Sequence, residues 1–324
     1  MIGIVIPYYQ KLPGLLNRAL RSVAAQDGQH QLRVYVVDDG SPISAEAELA
    51  GLDESFTQKI VIMRQRNSGP GAARNLALDR MADDVAFIAF LDSDDVWDKD
   101  HLNNARAALA EGADFYFSDY TSQDDEQSRF GLSGYRPDGS AIAGSNGRLF
   151  WCDAHTLFRA VVLRSPIGTP TVVLRRAKVG GARFLSWLRS AGEDSIFWLT
   201  LLSGNLRAAC SIQSEVTCGR GVSIFNHRSW GDRRALATTL DEMRLQVYLR
   251  GHFPLESDLV AQSRAQCRRL DLAFCANLIA CGRRLQWSAA GPAWAYVRQR
   301  PWALLKLPGA VLGAVSRRRD AGKP

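Results

Sequence analysis

No stretch of the chain approaches the roughly 18 apolar residues that a membrane-spanning helix requires, so no transmembrane helix is expected. A basic segment ahead of an apolar one is missing as well. Met1 leads directly into a strand-like run, which argues against a secretory signal and predicts a protein made and kept in the cytoplasm. None of the six cysteines (Cys152, Cys210, Cys218, Cys267, Cys275, Cys281) belongs to a CxxC pair at zinc spacing. They are expected to be reduced, buried thiols. Internal repeats and long low-complexity tracts are also lacking.

Acids are scarce in one place. From Ala273 onward nine Lys or Arg face a single acid, Asp320, whereas all 324 residues hold 40 bases and 33 acids. The net charge of +7 therefore belongs to the tail, and a nucleic-acid reading based on overall charge loses its force. With 46% hydrophobic and 23% charged residues, the composition is that of an ordinary globular protein. The length allows one large core, or a core with a smaller appendage.

What the chain does contain, over its first 120 residues, is an alternation of two patterns. Short apolar runs at 2–7 (rich in β-branched residues), 34–37, 60–63, 85–91 and 114–118 read as strands. Between them, Leu15, Leu16, Ala19, Leu20 and Val23, then residues 71–81, then Leu102, Ala105 and Leu109 follow helical spacing. Such alternation implies βαβ units, a parallel sheet and right-handed crossovers. Ligands of such sheets bind beyond the carboxyl ends of the strands, and the polar clusters fall there. Residues 122–146, rich in Gly and Ser, read as a long loop. Residues 171–174 read as a strand, 194–202 as a helix, and 232 to about 281 as helical.

Asp92-Ser93-Asp94, after the apolar run 86–91, is the sharpest feature. In an extended chain the two acids would face the same way about 6.6 Å apart. One carboxylate could then hold a divalent ion against diphosphate oxygens; the acids could equally cap the next helix. Gly69, Pro70 and Gly71 force a turn into a helix bearing Arg74 and Asn75, a start suited to an anion or merely a turn with a solvated Arg. Glu193-Asp194 offers a carboxylate base, or simply acids at a helix start. Asp38-Asp39-Gly40-Ser41 is also ordinary turn chemistry.

The order of these segments favours one side of these alternatives. Ile4-Val5-Ile6-Pro7-Tyr8-Tyr9 precedes Ala19-Leu20-Arg21-Ser22-Val23-Ala24-Ala25-Gln26 and Val36-Val37-Asp38-Asp39-Gly40-Ser41. Asn67-Ser68-Gly69-Pro70-Gly71-Ala72-Ala73-Arg74-Asn75 and Phe90-Leu91-Asp92-Ser93-Asp94-Asp95 follow. The series resembles glycosyltransferase family 2, strongly over residues 2–120, more weakly through Glu193-Asp194 to about 225, and not beyond. The opening run and the Gly168-Thr169-Pro170-Thr171 segment resemble bacterial exopolysaccharide (succinoglycan-type) glycosyltransferases.

The resemblance implies a GT-A-like α/β fold, a mixed sheet flanked by helices, over residues 1–225, with 1–120 binding the nucleotide-sugar and 121–225 the acceptor. Residues 226–324 would form a helical extension. It implies an inverting hexosyltransferase, using a UDP-sugar and Mn²⁺ or Mg²⁺, acting on a hydroxyl of a glycan or lipid-linked oligosaccharide. By matching positions, Tyr9 would stack on the base beside Pro7, and Asp39, next to Asp38, would read the uracil edge. Asp92 would contact ribose with Ser93 adjacent, Asp94 would bind the metal, and Asn67, Gly71 and Arg74 would line the donor. Asp194 would be the catalytic base. Thr169, Thr171, Glu193, Arg220 and His227 are candidate acceptor or diphosphate contacts.

The Gln-x-x-Arg-Trp motif of the family's processive synthases is missing, which favours single-sugar addition. Two rival readings remain: a nucleotide-sugar-binding protein without turnover, and a sugar nucleotidyltransferase, whose Gly-rich basic N-terminal loop is not found. The tail, with Trp287, Trp294, Tyr296 and Trp302 among its bases, suits either an anionic membrane surface or a helical cap packed on the protein.

Overall fold

A computed structural model of the chain describes residues 1–123, 127–219 and 232–308. The chain divides into two compact units, Met1–Trp187 with Glu193–Val222, and Leu188–Gly192 with Ser223–Pro324.

The first unit begins with β1 (Ile2–Tyr8), α1 (Leu15–Ala24), β2 (Leu32–Asp38), α2 (Glu54–Thr57), β3 (Ile60–Arg64), α3 (Pro70–Arg80) and β4 (Phe87–Phe90). It continues with β5 (Val96–Trp97), α4 (His101–Ala110), β6 (Phe115–Ser122), α5 (Arg129–Ser133), β7 (Leu149–Cys152) and α6 (Ala154–Arg164). It closes with β8 (Val173–Arg175), α7 (Glu193–Leu202) and β9 (Ala208–Cys218). The nine-stranded sheet runs β3-β2-β1-β4-β8-β6-β9-β5, with β7 also paired to β9.

The first four strands in that order are parallel. The chain lays β2 and β3 to one side of β1, then crosses to place β4 on the other. That reversal is a topological switch point at the carboxyl ends of β1 and β4, the place where open α/β sheets take their ligands. Register sets the level: Tyr8 lies beside Asp38, and Asp38 beside Arg64. Phe90 pairs with Val5, so the residues after β4 climb to the same height.

Both faces of this parallel half are covered, so its strands are apolar on both sides. On one face Ile4, Ile6, Val34 and Val36 pack with Leu16, Ala19, Leu20 and Val23 of α1. The spacing i, i+3, i+4, i+7 gives α1 a single apolar stripe. Behind Phe90 lies an aromatic cluster: Phe184 at 5.7 Å, Trp198 at 5.6 Å, and Phe184 stacked on Phe197 at 4.0 Å. Ile196, Phe197, Trp198, Leu199, Leu201 and Leu202 are all buried, so α7 is clad in apolar contacts along its length. Each such side chain contributes roughly 1.5–3 kcal/mol by leaving water. The helix start, with Glu193 and Asp194, is held accordingly.

Beyond β4 the sheet is mixed: β8 runs antiparallel to β4 and β6, and β7 and β5 run antiparallel to β9. Residues 122–146 are not loop throughout. They contain α5, whose first turn is capped by Ser128 Oγ and whose end is closed by Gly134 at φ 63°. The Gly/Ser content misled here because short caps and breaks use the same residues as loops.

The second unit is helical where described: α8 (Arg233–His252), α9 (Ser257–Arg283) and α10 (Ala290–Gln299). Leu236, Leu240, Met243, Cys267, Leu270, Phe274 and Tyr296 form its core. Asp271 is its polar pin, accepting from Tyr296 Oη at 3.0 Å and from Arg300 through Nε and Nη2 at 2.8 and 2.6 Å. Asp241 of α8 accepts the backbone amides of Arg189 and Ser190 at 3.0 and 2.9 Å. The tail aromatics divide: Tyr296 is fully buried, whereas Trp287, Trp294 and Trp302 are 83%, 70% and 53% exposed. No helix of the described residues is long and apolar enough to cross a membrane.

Candidate active site

The strand tips are stapled by a residue that the sequence did not flag. Gln10, just past β1, exchanges hydrogen bonds with Ser41 (N to Oγ 2.9 Å, Oγ to O 3.0 Å) and donates from Nε2 to Ser93 Oγ at 3.1 Å. The ends of β1, β2 and β4 are thus joined. Pro7 and Tyr9 are partly exposed at this tip, on either side of buried Tyr8.

Asp38 and Asp39 are both buried. Asp38 shapes its own turn, accepting Ser41 N at 2.7 Å and Ala45 N at 3.4 Å. Asp39 reaches across to the loop after β3. It accepts Gln65 Nε2 and Ser68 N at 2.7 Å and Gly69 N at 2.8 Å. Asn67 stands one residue before this grip. Gly69 adopts φ 93° as the residue before α3, a conformation that glycine alone takes readily. Gly71 packs against α7: a Cβ there would lie 3.2 Å from Glu193 Cγ and 3.3 Å from Phe184 Cβ.

Arg74 is neither solvated nor placed along an open face. It is buried, with Nη2 2.6 Å from Asp92 Oδ1 and Nη1 3.2 Å from Glu193 Oε1. Its guanidinium stands 5.3 Å from the centre of the Phe184 ring. Burial alone would lower its pKa, but Asp92 and Glu193 reverse that and raise it. One fixed charge therefore joins the end of β4 to the start of α7.

Asp92 to Asp95 is not the extended segment that alternation suggests. Asp95 N donates to Asp92 O at 3.1 Å, closing a turn. In this turn Asp92 and Asp94 are partly exposed, and Ser93 and Asp95 are buried. Burial, with Asp92 and Asp94 close by, pushes the Asp95 carboxyl well up.

At the start of α7, burial first, then the neighbouring Asp194 charge, raises Glu193 to about 7 against the pull of Arg74. Asp194 is half-buried. Its Oδ1 accepts Ser195 N at 2.6 Å, and its Oδ2 accepts the Thr169 hydroxyl at 3.2 Å. Thr171 instead closes a local turn, donating to Gly168 O at 2.8 Å. The structure thus joins Asp92, Arg74 and Glu193, and Thr169 with Asp194, by direct contacts, while Asp39 holds the loop that leads into the helix of Arg74. Arg220 and His227 lie outside the described residues.

Among the described residues no group of three or more His, Cys, Asp or Glu could hold a metal ion by itself. The acids fit a cation completed by a ligand's own oxygens. Asp92 shares its charge with Arg74, Asp95 faces inward, and Asp94 remains partly exposed. One or two carboxylates plus substrate phosphates are the usual protein-bound setting of Mg²⁺.

A sheet with one parallel and one mixed half, covered by helices and edged with acids at its strand ends, defines a GT-A-like α/β fold. Residues 3–163 match the Glycosyl transferase family 2 model. The chain is 37% identical over 228 residues to the succinoglycan biosynthesis protein ExoW of Rhizobium meliloti, covering 69% of this chain and 70% of that protein. It is 29% identical over 274 residues, 83% of its length, to an uncharacterized glycosyltransferase of Rickettsia conorii, of which it spans 41%. In three dimensions it is similar to S. aureus TarS 1-349 in complex with UDP-GlcNAc, at TM-score 0.54 and 19% identity, covering 86% of this chain and 72% of that one. The mannosyltransferase PcManGT from Pyrobaculum calidifontis, in complex with GDP-Man and Mn²⁺, gives 0.51 and 14%, covering 99% and 88%. These two likenesses concern the fold. The chain belongs to glycosyl transferase family 2.

Proposed function

We propose that the chain transfers a hexose, glucose in the first instance, from a UDP-sugar to a hydroxyl of a glycan or lipid-linked oligosaccharide, with inversion, in bacterial exopolysaccharide synthesis. The observation that carries this reading is the Arg74 bridge, which sets the Asp92–Asp95 turn and the Glu193–Asp194 pair at one rim of the sheet. Similarity to ExoW supports the exopolysaccharide setting, and the TarS complex supports UDP as the nucleotide.

In this reading Tyr9 stacks on the uracil, and Asp39, already holding three donors, meets the base edge through its remaining acceptor capacity. Asp92 meets the ribose. Asp94 holds Mn²⁺ or Mg²⁺, which when bound offsets the charge gathering on the departing diphosphate. Asp194 takes the proton of the attacking hydroxyl. The Thr169 hydroxyl and the Ser195 amide fix its two oxygens. Lipid linkage of the acceptor would give purpose to peripheral contact between an anionic membrane and the exposed Trp287, Trp294 and Trp302, at the inner face of the cytoplasmic membrane.

Thermal shift with UDP-, GDP- and dTDP-sugars, with and without Mn²⁺, identifies the donor, since a ligand of the folded form raises its stability. Asp194→Asn is expected to keep donor binding and lose at least 100-fold in transfer, the scale of a lost general base. Full transfer by that variant refutes the assignment. Wild-type donor binding without transfer or hydrolysis would instead favour a binding protein, and pyrophosphate release from NTP and sugar phosphate a nucleotidyltransferase.

A further inference from the structure

The turn that carries Asp94 is gripped from behind by groups that the transfer reading leaves without a role. Arg18, on α1, donates from Nη2 to the Asp94 carbonyl oxygen at 2.8 Å. Its Nε has no hydrogen-bond partner among the described residues, so the Asp94 contact orients the guanidinium. Asp95, 5% exposed, accepts the Gly219 amide on Oδ1 at 2.8 Å. Gly219 itself leaves no room for a side chain. A Cβ there would fall 1.9 Å from the Asp94 carbonyl oxygen and 2.7 Å from Arg18 Nη2. Its φ is not among the positive ones. Space, not backbone conformation, is what demands glycine at this position.

The strand that delivers Gly219 is anchored on three sides. β9 pairs with β5 through Val96–Thr217 and Trp97–Val216, and with β6 up to Ser122–Cys218. Four residues before Gly219, buried Glu215 accepts His101 Nδ1 at 2.9 Å, Tyr116 Oη at 2.7 Å and Asn104 Nδ2 at 2.7 Å. The end of β9 is therefore a fixed strut, and the turn after β4 rests on it.

We propose that Arg18, Asp95 and Gly219 are positioning residues: they clamp the Asp94 backbone so that its side chain is aimed at the rim before the sugar diphosphate arrives. This rests on reading Asp92–Asp94 as the site of the diphosphate and its divalent ion. A carboxylate that must share a cation with the substrate's own oxygens depends on being held in direction, and a backbone clamped at both ends of its turn supplies that. Arg18 acts through the carbonyl, Asp95 through the far end of the turn, and Gly219 by allowing the close approach of both.

The test uses the full chain as wild type, Gly219→Ala and Arg18→Gln. Two quantities are read: affinity for Mn²⁺ with UDP by calorimetry, and hydrogen exchange of the amides at 91–96 without ligand. Both variants are expected to bind Mn²⁺·UDP about tenfold more weakly, the scale of one lost charge-assisted hydrogen bond. Exchange at 91–96 should quicken while residues 193–202 stay unchanged. Unaltered affinity, or unaltered exchange at 91–96, overturns the proposal, as does a drop in Tm alone. Should Gly219→Ala not fold, Arg18→Gln, which adds no bulk, decides. Should the wild type bind no Mn²⁺·UDP, the reading of the site fails. The clamp is then judged by exchange alone: faster exchange sustains it and unchanged exchange overturns it.

Discussion

Glu193 sits beside one cation that it must share. Burial and the Asp194 charge outweigh Arg74 and lift its carboxyl to about 7. A folded-state pKa above the unfolded value means that the folded protein holds the proton more tightly. The stability this contributes is complete below about pH 4.5 and is lost as the pH rises through about 7, on the order of 3–4 kcal/mol. Glu193→Gln cannot titrate. Urea unfolding of both proteins from pH 4.5 to 8 should therefore show the wild type losing stability relative to the variant across that window. Parallel curves would contradict the shift. The acids themselves were legible in the sequence, because Asp-Ser-Asp-Asp and Glu-Asp stand out by type and position. Their counter-ion was not: Arg74 pairs with Glu193 across 119 residues, and its setting reads equally well as a solvated helix start. Nor did alternation foresee the Asp92–Asp95 turn, since the strand ends at Phe90 and the pleat ends with it.

At the scale of elements, β1 to β4 and α1, α3 and α4 were readable because each carries one clear period. β9 was not, although it pairs with three other strands, β5, β6 and β7. Its Ser211 and Glu215 are buried with partners, so the polar residues that appear to break a strand pattern are interior groups satisfied by hydrogen bonds. β7 and β5, at four and two residues, are too short to show any period. In the helical unit, Asp241 accepts two backbone amides of residues 189–190. Removing its carboxylate leaves those donors without their acceptor, at about 1–3 kcal/mol. Asp241→Ala should lower Tm by several degrees and speed amide exchange at 189–190. An unchanged exchange rate there would show that the contact does not hold the segment.

For the molecule as a whole, the basic tail acquires a more specific meaning. Its buried Tyr296 and its Arg300 are tied to Asp271, which is structural work. Trp287, Trp294 and Trp302 are left at the surface, together with Leu285 and Leu305, 72% and 79% exposed. Exposed rings beside bases are the chemistry of an anionic bilayer surface. The intact protein should float with vesicles containing phosphatidylglycerol but not with phosphatidylcholine alone. Replacing the three tryptophans with Ser should abolish flotation while sparing Tm. Absence of wild-type flotation removes the membrane reading.

The same long reach of Arg74 bears on how the chain comes into being. A ribosome has made the four strands β1 to β4 by residue 90, yet the guanidinium that the finished protein hides still lacks Phe184 and Glu193. Until those residues emerge, Arg74 has nowhere dry to go. The leading half of the polypeptide must therefore wait, its edge unsealed, for a helix translated long afterwards.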